Sequence, residues 1–231
     1  MVLINGTNVK FLINTTKWSD YDTIVLPTLI TSLRAQVSND DIVVVMGDCN
    51  TEEVTTETDY TLVKVKHNSM GFTGLIGVVN NQSNLGTLPD VWFYMHDTCN
   101  VGPNFISSLS SKTLSDDIRL IWNIKGLGIY RNSTLVSNNA LLNSLKSSDN
   151  PSLNENRINK HISVNYNDVV HKNTNNNSNL TTHYEVLGIT KVYGDTRVFR
   201  QTIYLPDLDF YKYYSNYKWC RREVPRHNIY P

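Results

Sequence analysis

Residues Asp41 to Met46 read Asp-Ile-Val-Val-Val-Met and stop at Gly47-Asp48. A strand with one wet face alternates apolar and polar side chains, so an unbroken β-branched run needs cover on both faces, as inside a parallel sheet. Parallel neighbours cannot be joined by tight turns and need crossover segments, usually helices.

The flanking sequence offers such segments. Val9 to Ile13 is a near-continuous apolar run, and Leu26, Leu29, Ile30 and Leu33 follow at helical spacing, with Pro27 in the first turn, where its missing N–H costs nothing. Thr61 to Val65 reads as a shorter strand, and Gly71 to Val79, apolar with three glycines, as a helix packed close on the sheet. Val91-Trp92-Phe93-Tyr94-Met95 is introduced by the turn signal Leu88-Pro89-Asp90 and ended by His96-Asp97-Thr98. After it, Gly102-Pro103 opens a short helix carrying Phe105, Ile106 and Leu109. The expected fold is therefore α/β, a Rossmann-like, mostly parallel sheet flanked by helices. Ligands of such sheets lie beyond the carboxyl ends of the strands, where Asp48 and Asp97 both fall.

The alternation fades after about Lys146. Ser147 to Asn179 is rich in Asn, Ser and Lys, near-homopolymeric over Asn173 to Asn179, and is expected to be a mobile loop. Tyr184 to Val192 and Thr196 to Leu205 read as a C-terminal β-hairpin turned at Tyr193-Gly194-Asp195, followed by an aromatic tail over Asp207 to Trp219. The chain is expected to form one domain over 1–231, with an α/β core over 1–146 and a variable segment and extension over 147–231.

Composition narrows the partners. With 231 residues, 40% hydrophobic and a formal net charge of +0, the chain can bury a full core but has no global attraction for nucleic acid. No run approaches the ~20 apolar residues of a membrane helix, and Met1 to Asn14 is too polar for a signal peptide, so a cytoplasmic protein is expected. Cys49, Cys99 and Cys220 are widely spaced and fit neither a zinc site nor a disulfide framework.

A carboxylate at a strand end suits the chemistry of a diphosphate-bearing ligand, whose leaving charge is neutralised by a cation on carboxylate oxygen or by Arg and Lys. Asp97 fits that position; its alternative reading is a cap on the turn or the next helix. The succession of Gly47-Asp48, His67-Asn68-Ser69-Met70-Gly71, Val91 to Thr98 and Gly126-Leu127-Gly128-Ile129-Tyr130-Arg131 resembles the GT-A glycosyltransferases, including small enzymes of large DNA viruses. The resemblance spans roughly residues 9 to 160. It implies a nucleoside-diphosphate sugar donor, a glycan or protein acceptor, and host cytoplasm if the source is viral.

Carried over by position, the resemblance places the nucleoside against Asn14, Thr15 and Asp48, and the family's Asn-x-x-Gly segment on Asn68 and Gly71. The metal motif falls on His96 to Cys99, where only Asp97 is acidic; Mn2+ or Mg2+ would rest on Asp97 and His96, with Thr98 beside them. Gly128 belongs to the glycine strand facing donor sugar and acceptor, ahead of an acceptor-side helix over Leu135 to Lys146. Leu153 to Ile158 resembles the segment of the inverting general base, which makes Glu155 the candidate base and Asp97 its catalytic companion. His161, His171 and His183, the late aromatics and Arg221, Arg222 and Arg226 carry weaker signals that fit surface or packing roles equally well. Two other functions share this fold: a nucleotidyltransferase making a sugar nucleotide, and a non-catalytic glycan-binding or structural module.

Overall fold

The computed structural model describes residues 2–17, 26–112, 114, 118–119, 128–146, 199–205 and 207–215. Glu155, His161, His171, His183, the asparagine tract, Tyr184 to Val192 and the arginines near the C-terminus lie outside the described residues. The chain opens with β1 (Val2–Ile4), turns at Asn5 and Gly6, both at positive φ, and runs back as β2 (Thr7–Thr16). Asn-Gly suits this two-residue hairpin because both residues tolerate the left-handed region that matches strand twist.

Helix α1 (Leu26–Arg34) leads to β3 (Ile42–Gly47), then to an antiparallel pair, β4 (Glu53–Thr56) and β5 (Thr61–Lys64). Helix α2 (Thr73–Asn80) precedes β6 (Val91–His96), β7 (Cys99–Val101) and α3 (Phe105–Ser110). After β8 (Ile118–Arg119) and β9 (Gly128–Arg131), the single helix expected over Leu135 to Lys146 is two short ones, α4 (Asn132–Ser137) and α5 (Asn139–Asn143), broken at Asn138. Asparagine competes for local backbone bonds in this way: Asn138 Nδ2 donates to the Thr134 carbonyl at 2.9 Å.

The main sheet has the order β4-β5-β3-β2-β6-β9-β8, with β1 on β2. Its centre is parallel, β5 to β3, β3 to β2 and β2 to β6, and the outer strands are antiparallel. Both faces are covered, as the Ile42 to Met46 run requires. On one face Phe11, Ile13, Val44, Phe93 and Met95 meet Leu26, Leu29, Ile30 and Leu33 of α1 and Phe105 of α3; on the other Leu12, Val43, Val45, Trp92 and Tyr94 meet Leu75, Ile76 and Val79 of α2.

Of the expected C-terminal hairpin, Tyr184 to Val192 and the turn at Tyr193-Gly194-Asp195 lie outside the described residues, and its second strand is the first of a described hairpin. Its strands are β10 (Phe199–Leu205) and β11 (Phe210–Ser215), turned through Asp207 to Asp209, so part of the expected aromatic tail is a strand. Strand β11 pairs with β7, and Leu205, Leu208 and Phe210 enter the α1-side core, with Phe210 at 5.9 Å from the Phe93 ring. Asp209 pins the turn: its backbone carbonyl accepts from Gly102 N at 2.7 Å and its carboxylate from Asn104 N at 2.9 Å. Segment 199–215 is thereby built into the same core as the N-terminal strands.

Helix α2 lies close on the sheet because Gly74 and Gly77 have no Cβ; one added at Gly77 would stand 2.5 Å from Val45 Cγ1, and one at Gly74 2.7 Å from a Tyr94 ring carbon. In an exposed helix Gly→Ala gains about 1 kcal/mol, but here overpacking reverses the sign. Gly77→Ala is expected to lower unfolding free energy by about 1–3 kcal/mol in urea denaturation; a stabilised variant would mean that α2 stands off the sheet.

Candidate functional site at the strand ends

The polar residues of the candidate site all follow apolar strand interiors, and the two-residue period of a strand sends neighbours to opposite faces. On the α2 side, Asn14 Oδ1 accepts the Gly74 N–H at 2.7 Å, satisfying one of the orphan donors of α2 from a neighbouring strand. Thr16 Oγ1 donates to Asp48 Oδ2 at 3.0 Å, and Asn68 Nδ2 donates to the same oxygen at 2.6 Å. Asp48 ends β3 in the left-handed region, φ 59°, a conformation that Asp and Asn adopt more readily than other non-glycine residues. Tyr94 Oη donates to the Gly71 carbonyl at 2.7 Å, and Gly128 lies across from Tyr94 at the start of β9.

On the opposite side lies the second half of the expected site. Thr15 Oγ1 donates to Asp97 Oδ2 at 2.7 Å, and the Thr98 N–H donates to Asp97 Oδ1 at 2.7 Å. Asp97 therefore does not project into an open crevice: it is 4% exposed, with both oxygens engaged. Burial pushes its carboxyl up to about 6, against the opposing pull of the Thr15 hydroxyl, the Lys212 charge and the Thr98 N–H. Lys212, brought in by β11 opposite Cys99, is itself buried and donates from Nζ to Thr98 Oγ1. Sequence reading missed Lys212 because it sits among tyrosines in what looked like a tail; its signal was the alternation of Phe210, Tyr211 and Lys212, which places Phe210 and Lys212 on one strand face.

His96 and Asp97 thus part company. His96 shares the α2 face with Tyr94, 5.7 Å between ring centroids, and is the register partner of Asn14. Its Nε2, like that of His67, is buried with no hydrogen-bond partner among the described residues. Asp97 and His96, the pair expected to hold a divalent cation, point to opposite faces of the sheet, and each Asp97 oxygen accepts a hydrogen bond. No group of three His, Cys, Asp or Glu side chains converges as a metal cage among the described residues.

These features define an α/β protein with a Rossmann-like parallel centre and a polar, pre-organised cluster at the strand ends. No protein-family model matches the chain, and no curated protein does. Among solved structures, it is similar to S. aureus TarS 1-349 at 13% identity and a TM-score of 0.36, covering 56% of this chain and 49% of that one. The chain thus spans about half the length of that structure. Among the described residues no helix is long and apolar enough to cross a membrane.

The buried imidazoles set a pH dependence. Burial lowers His67 from 6.5 to about 4 and His96 from 6.5 to about 3, so their neutral forms favour the folded state above pH 6.5 and that contribution is lost as pH falls through about 4 and about 3. Asp97 has the opposite sign: raised from 3.8 to about 6, it contributes below 3.8 and loses that contribution as pH rises through about 6. Acidification from pH ~7 to ~5 is expected to cost wild type more stability than His67→Gln or His96→Gln, read by urea denaturation at each pH. Identical losses in all three proteins would show that neither imidazole is held neutral.

Proposed function

We propose that this chain is a nucleotide-sugar-dependent glycosyltransferase of the GT-A kind, moving a sugar from a nucleoside-diphosphate donor to a hydroxyl on a glycan or protein. The observation that carries this reading is the reversal of strand order at β2, with β3 and β5 on one side and β6 on the other. Such a reversal opens a crevice beyond the carboxyl ends of the two strands that flank it, the place where open α/β sheets take nucleotides. Here those ends are Asn14 to Thr16 and His96 to Thr98.

The nucleoside is assigned to the α2 side. Asp48 Oδ2 is held by Thr16 and Asn68, which fixes the carboxylate and turns the half-buried side chain into a ready acceptor for a base or ribose donor group. Asn14 and Gly71 act behind it, the first by holding α2 to β2 and the second by anchoring Tyr94. Thr15, Asp97 and Thr98 form the buried edge of the crevice, and Gly128 allows the donor sugar to approach the backbone of β9. Glu155 is assigned as the base that takes the proton of the acceptor hydroxyl while its oxygen attacks the anomeric carbon and the nucleoside diphosphate leaves.

A calorimetric panel of nucleoside diphosphates and their sugar conjugates tests the assignment. Asp48→Asn keeps a residue type that tolerates the left-handed backbone but removes the charge, and is expected to weaken the nucleotide that binds by roughly tenfold. Glu155→Gln is expected to slow transfer by roughly 100-fold with donor affinity unchanged. A wild-type protein that binds none of these nucleotides, or an Asp48→Asn variant with undiminished affinity, would remove the donor site from where we place it.

A further inference from the structure

Two oppositely charged side chains are buried together at the end of β6, from segments far apart in sequence. Asp97 is 4% exposed and Lys212 is 3% exposed. Neither charge is tolerable in an apolar interior alone, so each requires compensation by partners that stay in place. Thr98 links them: its hydroxyl accepts from Lys212 Nζ while its backbone N–H donates to Asp97 Oδ1 at 2.7 Å. Thr15 Oγ1 closes the other carboxylate oxygen at 2.7 Å.

The surroundings leave little for a divalent ion to use. His96 faces the other side of the sheet. A dication beside Asp97 would also stand next to the Lys212 ammonium in a low-dielectric interior, where like charges repel strongly.

We infer that Lys212 is the resident cation of this strand end, delivered by the C-terminal hairpin, and that nucleoside diphosphates bind here without a divalent metal. The first part stands on the buried cluster alone; the second rests on the glycosyltransferase reading. A leaving diphosphate can be neutralised by Lys or Arg as well as by a metal ion, and a lysine fixed at the crevice edge contributes a permanent positive potential there. Strand β11, through Lys212, is on this account part of the site.

Three measurements on the full chain test it. Mn2+ alone is titrated calorimetrically into wild type and Asp97→Asn; nucleoside diphosphates are titrated in EDTA and in Mn2+; and Asp97→Asn, Lys212→Met and the double variant are compared by urea denaturation. The expected results are no Mn2+ uptake that depends on Asp97, nucleotide affinity that differs by less than about threefold between EDTA and Mn2+, and a double variant less destabilised than the sum of the single ones. Mn2+ tightening nucleotide binding by about tenfold or more in wild type but not in Asp97→Asn would overturn the metal-free part. Additive destabilisation would overturn the pairing of Lys212 with Asp97. If Lys212→Met does not fold, Lys212→Arg, which keeps the charge, is expected to fold, and its failure alongside Lys212→Met would overturn the role of charge in favour of shape. Binding of no nucleotide in either condition would defeat the glycosyltransferase reading instead, and the Mn2+ titration and the variant cycle would then decide Lys212 by themselves.

Discussion

Burial of the central strands on both faces is the constraint from which the rest follows. In β3 every residue from Ile42 to Gly47 is buried, and in β6 only the terminal His96 is not. Catalytic or binding groups therefore emerge only where the strands end, and the period of two divides them. Asn14, Thr16 and His96 go to the side of α2; Thr15 and Asp97 go to the side of α1 and the hairpin. A motif that looks contiguous in sequence, His96 followed by Asp97, becomes two half-sites separated by the thickness of a sheet.

The two half-sites are held by different physics. On the α2 side, close packing does the work: Gly74 and Gly77 let the helix settle against Tyr94 and Val45, and the Asn14 side chain caps a helix donor that the sequence of α2 leaves open. This fixes the turn after β3, where a Cβ at Gly47 would stand 3.0 Å from the His67 carbonyl oxygen and 3.1 Å from the Thr73 methyl, and so fixes Asp48. On the α1 side, charge compensation dominates, with an apolar shell of Met95, Phe105, Leu205, Leu208 and Phe210 in the core beneath it. One half presents half-buried polar atoms; the other keeps its ions dry.

Much of the central fold was legible in the sequence, because long apolar runs admit few arrangements. The runs around Val9 to Ile13, Ile42 to Met46 and Val91 to Met95 became β2, β3 and β6, and Leu26, Leu29, Ile30 and Leu33 became the buried stripe of α1. Short strands were not: β4 is a polar edge strand of Glu, Val and two Thr, and β7 has three residues whose pairing partner lies more than a hundred positions later. Asn5-Gly6 is a strong hairpin signal, but β1 beyond it is too short to read alone. Asp207-Leu208-Asp209 turns β10 into β11, and what holds that turn, the contact of Asp209 with Gly102 and Asn104, lies too far away in sequence to be read. The candidate site was legible as a set of strand-end residues; its division between faces needed the register, and Lys212 needed the pairing of β11 with β7.

That pairing explains why a buried ion cluster belongs at this position even though it is a poor source of stability. Strand β11 is rich in aromatic residues, and in Phe210-Tyr211-Lys212-Tyr213-Tyr214 the sequence alone does not show which face turns inward against β7. A slip by one residue would turn Phe210 and Lys212 away from the core and bring Tyr211 inward. With Lys212 opposite Cys99, the ammonium reaches Thr98 and compensates Asp97; in the slipped register the sheet would bury Asp97 without that cation and expose Phe210. The uncompensated carboxylate and the exposed Phe210 both disfavour the slip, so the ions and the apolar contacts select the same register. The same register sets the position of β11 beside the ends of β2 and β6, and in this way the buried charges fix the geometry of the crevice edge.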